Sequence, residues 1–105
     1  MVNNKKIEAL EQNILEEIYN LVLSTDITPF EREKMLSAKF LIEKKESYLV
    51  VLRRIQITFI SKSLKGEMSP EFKAFYKKIP EWIQLESEGQ AAFAAGAFLA
   101  PPIPL

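Results

Sequence analysis

Apolar residues recur at steps of three and four through most of this chain. Ile7, Leu10, Ile14, Ile18 and Leu21 form one line, and Leu15, Tyr19 and Val22 form a flanking one. Glu11, Glu16, Glu17 and Asn20 fall elsewhere on the same cylinder. A stripe this wide predicts a core-facing helix over 4–24. The stretch from Glu31 to Leu64 holds two further helical patterns back to back, hinged near Glu46–Ser47. In the first, Met35, Ala38, Leu41 and Ile42 share a face that Leu36 broadens, with Phe40 at its edge or free for a partner. In the second, Tyr48, Leu52, Ile55 and Phe59 make one stripe, and Ile57, Ile60 and Leu64, beside Val50 and Val51, make another. Two stripes predict a buried central helix touching more than one neighbour. Phe72, Phe75, Tyr76 and Ile79 mark a fourth helix, with Trp82 and Ile83 able to extend its line.

The boundaries carry their own signals. Thr28-Pro29-Phe30-Glu31 reads as a helix start. Thr28 caps, Pro29 takes the first helical position, where its missing N–H is harmless, and Glu31 can return a bond in a capping box. Ser47 is the candidate cap of the third helix. Gly66 is its stop, since glycine accepts the left-handed conformation found there. Ser69-Pro70-Glu71 opens the fourth helix with the same cap-and-proline logic. Pro80 removes a helical hydrogen bond and clashes with the preceding turn, which predicts a stop or kink near Ile79. Glu86-Ser87-Glu88-Gly89 reads as a polar break. Residues 90–100 are rich in alanine with Phe93, Phe98 and Leu99, and the prolines at 101, 102 and 104 predict an extended end. Four amphipathic segments with short connections imply an all-α, antiparallel four-helix bundle over 1–85, followed by an apolar C-terminal tail over 86–105 that is either docked or a recognition arm.

The 105 residues suit one domain, 48% hydrophobic and 27% charged. Fourteen basic residues balance fourteen acidic ones, which removes the general electrostatic argument for binding nucleic acid. There is no cysteine and no histidine. Disulfides and thiolate metal sites are thereby excluded, a reduced cytoplasmic setting follows, and the commonest acid–base catalyst and metal ligand is missing. The glutamates sit where soluble helices need charge, and no Glu-x-x-His pattern exists for a di-iron bundle. Glycine occurs at 66, 89 and 96, so phosphate-loop and dinucleotide motifs are absent. We expect no catalytic residues, no cofactor and no metal. The N-terminus lacks the apolar run of a secretory signal, and no stretch approaches the ~20 apolar residues of a membrane span.

Charge is uneven along the chain. Glu8 to Glu33 is acidic and Lys39 to Lys65 mainly basic, so the two halves can complement each other as neighbouring helices. Alternatively, Arg54, Lys62 and Lys65 form a basic face for an anionic membrane surface or an acidic partner. Arg53 lies nearer an apolar line and is expected to pair with a carboxylate. The tail is the second candidate surface, through Phe93, Phe98, Leu99 and Ile103, with Trp82 beside it.

A set of residues spread over 7–80 carries a family resemblance. They are Leu15, Ile18-Tyr19-Asn20, Asp26, Glu31-Arg32-Glu33, Ala38-Lys39, Ile42-Glu43-Lys44, Leu52, Arg54-Ile55, Met68-Ser69-Pro70, Phe72 and Tyr76. Together they are similar to the immunity proteins of pediocin-like (class IIa) bacteriocins, the enterocin A immunity group. The resemblance implies a protein that protects a cell from a pore-forming peptide. It implies action from the cytosol, partly at the membrane, on a mannose phosphotransferase permease that has bound the bacteriocin. It supplies no catalytic residues. The tail departs from any shared pattern, so its target cannot be carried over. The rival from the residues alone is a small cytosolic helical adaptor that binds a soluble partner, in an oligomeric state the sequence leaves open. A carboxylate-using enzyme would need glutamates lining one deep pocket.

Overall fold

The computed structural model describes residues 4–89 and 103–105. Among the described residues there are four helices: α1 (Asn4–Leu23), α2 (Pro29–Glu43), α3 (Tyr48–Lys65) and α4 (Pro70–Gly89). They form an antiparallel bundle in which α1 packs on α2 and α4, and α3 packs on the same two. The predicted stripes build its core. Ile14 and Ile18 of α1, Met35 and Ala38 of α2, Leu52, Ile55 and Phe59 of α3, and Phe72 and Ile79 of α4 are fully buried. An aromatic chain threads them. Phe59 meets Phe30 at 5.5 Å and Phe72 at 4.3 Å between ring centroids, and Phe75 meets Trp82 edge-on at 5.4 Å. Such pairs add about 1 kcal/mol each beyond the area they bury.

The capping box of α2 is formed: Glu31 N–H donates to Thr28 Oγ1 at 3.1 Å and Thr28 N–H donates to Glu31 Oε1 at 2.8 Å. The Glu31 carboxylate then does more than the motif requires. It also accepts from the Ser69 backbone N–H at 2.9 Å and the Ser69 hydroxyl at 2.6 Å. Ser69 in turn accepts from Phe72 N–H at 3.4 Å, at the start of α4. One buried carboxylate therefore ties together the starts of two helices, through residues 38 apart in the chain. Arg32 serves the adjacent corner, donating to the Val22 carbonyl at 3.2 Å and to the Ser24 carbonyl, at the end of α1. That helix has no basic residue of its own in its last turn, so α2 supplies the complementary charge.

Several expectations change. Ser47 precedes α3 but its side chain makes no capping hydrogen bond. The α4 helix runs through Pro80 to Gly89. Pro80 is exposed, while Ile79 and Trp82 flanking it, and Glu86 beyond, are buried. Packing of that stripe outweighs the missing hydrogen bond on the solvent side. The residues read as a polar break are thus helical, and Glu86 is fully buried. Nor is α3 a central helix. It occupies one corner of the bundle, burying Leu49, Val51, Leu52, Ile55 and Phe59. Its second apolar stripe faces outward, with Ile57 39%, Ile60 58% and Leu64 83% exposed. Leu36 and Phe40 of α2 are also exposed; Lys44 Nζ lies 4.4 Å from the Phe40 ring centroid.

Candidate partner-binding surface

Two features of α3 stand out from the packed bundle. The first lies on its α2 flank, where residues 103–105, outside any helix, are seated. Arg54 reaches them with its planar fork: Nε donates to the Ile103 carbonyl at 3.0 Å and Nη2 to the Pro104 carbonyl at 3.2 Å. One turn on, Thr58 Oγ1 accepts from Leu105 N–H at 2.8 Å, and from α2 Lys34 Nζ donates to the Leu105 backbone oxygen at 3.2 Å. The Thr58 hydroxyl spends its own proton on the Arg54 carbonyl at 2.7 Å, which leaves its lone pairs for the incoming N–H. Leu105 is half-buried and packs against the core, while Ile103 remains 62% exposed. Beside this seam Lys34 Nζ and Lys62 Nζ lie 5.4 Å and 4.8 Å from the Phe30 ring centroid. These cation–aromatic contacts hold two ammonium groups against the groove wall.

The second feature is the outward stripe of Ile57, Ile60 and Leu64. It borders a groove of about 510 Å³ between α3 and α4, lined by Arg53, Gln56, Ile57, Ile60, Tyr76, Pro80 and Ile83. The Tyr76 hydroxyl donates to the Gln56 carbonyl at 3.3 Å on its floor. Burial pushes the Tyr76 phenol above its ordinary value of 10.0, so it is neutral at physiological pH. At the start of α3 burial does the same to Tyr48, reinforced by the negative charges of Glu11 and Glu86.

The residues singled out from sequence separate into three groups. Arg54 is engaged by residues 103–105, and Lys62 leans on Phe30 beside it. Lys65 is exposed in the last turn of α3. Ile103 is seated on the bundle with its side chain outward. Trp82 is 5% exposed and packs on Phe75, so it presents little surface to a partner and its place is in the core. Phe93, Phe98 and Leu99 lie outside the described residues. Sequence reasoning missed Lys34 and Leu105, and it placed Thr58 on the narrow polar face of α3 with Arg54, Lys62 and Lys65 without giving it a role of its own. It saw Ile57, Ile60 and Leu64 but assigned them to a neighbouring helix. The acidic first helix pairs with α4, through Glu17 and Lys78 at 2.9 Å, while Lys39 pairs with Glu43 inside α2 at 3.2 Å.

Among the described residues no group of three or more acidic side chains is placed to hold a metal ion. No helix there is long and apolar enough to cross a membrane. The arrangement offers surfaces for binding, with hydrogen-bond donors, aliphatic side chains and cations.

The described residues thus define an all-α four-helix bundle. Residues 10–84 match the bacteriocin immunity protein family (EntA_Immun). The match covers most of the chain, and the chain belongs to that family. Comparison with curated proteins and with solved structures gives no significant match.

Proposed function

We propose that this protein protects its cell from a pore-forming, pediocin-like peptide by engaging the bacteriocin-bound receptor permease, of the mannose phosphotransferase type, from the cytoplasmic side. Family membership supports the immunity role. The observation that carries the mode of action is the seating of residues 103–105 on α2 and α3. Residues 103–105, at the far end of the run 90–102 from α4, contact the bundle, and in this reading Phe93, Phe98 and Leu99 serve as the recognition arm. The exposed stripe of α3, with Lys65 at its end, lies on the same helix and faces the inner leaflet or the permease.

The test is expression in a strain sensitive to pediocin-like bacteriocins. The wild-type chain raises the tolerated dose. The variant combining Phe93→Ala, Phe98→Ala and Leu99→Ala keeps its helical circular dichroism and melting temperature but loses most of that protection. Full protection by a folded triple variant would exclude the recognition arm. A wild-type chain that protects against no such peptide would exclude the immunity reading itself.

A further inference from the structure

The contacts that seat residues 103–105 have an unusual composition. Each of the four hydrogen bonds goes from or to a side chain of the bundle and a main-chain atom of the extended segment. Main-chain recognition of this kind reads conformation and not sequence. The segment's own side chains contribute one anchor, Leu105, which is half-buried against the core, whereas Ile103 points mostly to solvent. The groove groups that reach the segment or its aromatic wall are Lys34, Arg54, Thr58, Lys62 and Phe30. Three of these are cations and none is a carboxylate, so the groove presents donors to peptide carbonyls.

We infer that the seam between α2 and α3 is an acceptor site for an extended peptide strand with one aliphatic anchor. Residues 103–105 fill it in the resting molecule, and an extended segment of the partner complex takes it over on binding. The argument rests on the segment already seated there, which displays the chemistry of the occupant: consecutive carbonyls that accept from Arg54, an N–H that donates to Thr58 and an aliphatic side chain at the same residue. An intramolecular strand competes with any free peptide through its effective concentration at the site. It therefore blocks weak, non-specific peptides and yields to a partner that is itself anchored elsewhere on the bundle. The assignment of that partner rests on the immunity reading above; the acceptor site does not.

The probe is a fluorescent, end-blocked peptide with the sequence of residues 100–105, added to the full chain. Leu105→Ser loosens the chain's own strand by removing its anchor. This variant should bind the peptide saturably and at least about tenfold more tightly than wild type. Adding Arg54→Lys, which keeps the charge but loses the fork, or Thr58→Val, which keeps the shape but loses the acceptor, should weaken that binding about tenfold. Circular dichroism confirms that each variant is folded, and two independent groove variants guard against loss of either. No saturable binding to the Leu105→Ser chain, or equal binding by the Arg54→Lys and Thr58→Val chains, overturns the acceptor site. In the protection assay Arg54→Lys alone should lower the tolerated dose, and full protection by a folded Arg54→Lys chain overturns the takeover of the seam by the partner. A wild-type chain giving no protection defeats the immunity reading, and the acceptor site is then judged on peptide binding.

Discussion

Glu31 shows how much one side chain can organise in a small bundle. Its carboxylate is fully buried and accepts three hydrogen bonds, two of them from Ser69 at the start of α4. Replacement by alanine strands the Thr28 and Ser69 N–H groups, and bonds to a charged acceptor contribute about 1.5–3 kcal/mol each. Glu31→Ala should therefore lower stability by about 3 kcal/mol or more in urea unfolding. Ser69→Ala should lower it by about half as much. Because both variants break one network, the double variant should fall well short of the sum; additive values would show that the two helix starts are independent. The tyrosines give a pH signature at the same scale. Burial raises the phenol pKa of Tyr48 and Tyr76 in the folded chain above 10.0. Below that value both states hold the proton and the stabilisation is fully present. As pH rises past it the unfolded chain loses protons first, so stability falls until the folded pKa is passed. The Tyr48→Phe, Tyr76→Phe double variant should lose less stability than wild type between about pH 9.5 and 11, measured by urea midpoints at each pH.

At the level of elements, α2 and α3 end in the same way with different residues. In α3 the Gly66 N–H donates to the Ser63 carbonyl at 3.2 Å and the Glu67 N–H to the Lys62 carbonyl at 2.9 Å. In α2 the Lys45 N–H donates to the Ile42 carbonyl and the Glu46 N–H to the Leu41 carbonyl, both at 3.0 Å. Both are Schellman turns, with the pivotal residue left-handed at φ 67° for Gly66 and φ 71° for Lys45. A side chain there carries a backbone penalty of about 1 kcal/mol. Lys45→Gly should thus raise stability by up to about 1 kcal/mol, and Gly66→Ala should lower it by a similar amount. An added Cβ at Gly66 meets nothing within 4 Å, so the effect isolates backbone conformation. This comparison also shows what a sequence reveals. Gly66, Thr28-Pro29-Glu31 and Ser69-Pro70 are local signals, and each helix start or stop they mark is present. The periodic stripes likewise place Ile14, Met35, Phe59 and Phe72 in the core. A stripe states that a face is apolar, however, and not what covers it. Ile57, Ile60 and Leu64 could not be told from core residues until the neighbours of α3 were known. Arg54, a candidate from the start, finds its partners at residues 103 and 104, a contact that no local pattern encodes. Pro80 misled for the converse reason, because the helix is held by Ile79, Trp82 and Glu86 on its buried side. Pro80→Ala restores the donor toward Tyr76 and removes the ring clash, and should stabilise the fold by about 1–3 kcal/mol, read as a raised urea midpoint.

Over the whole molecule the bundle is held unevenly. The corner where α1, α2 and α4 meet is fastened by Glu31, Arg32 and Ser69 and by the Ser24 hydroxyl, which donates to Glu71 at 2.7 Å. The seam between α2 and α3 is instead finished by residues 103–105, with Leu105 packed on the core. Removing the chain after Gly89 should therefore leave a folded, cooperative bundle with its helical content intact, because the buried stripes of all four helices remain. It exposes Leu105's half-buried site and frees Arg54, Thr58 and Lys34 to solvent, where water replaces most of the lost bonds. The expected destabilisation is about 2 kcal/mol. The loss should also be local: amide exchange should quicken in the facing turns of α2 and α3, around Lys34 and Thr58, while α1 and the first half of α4 change only with global stability. Uniformly faster exchange along all four helices would mean that residues 103–105 support the entire core. No change near Thr58 would mean that the segment does not rest on the bundle in solution, and the acceptor seam would then be open without any variant. The exchange proposed for residues 103–105 would accordingly disturb the two helices of this seam and leave the Glu31 corner fastened.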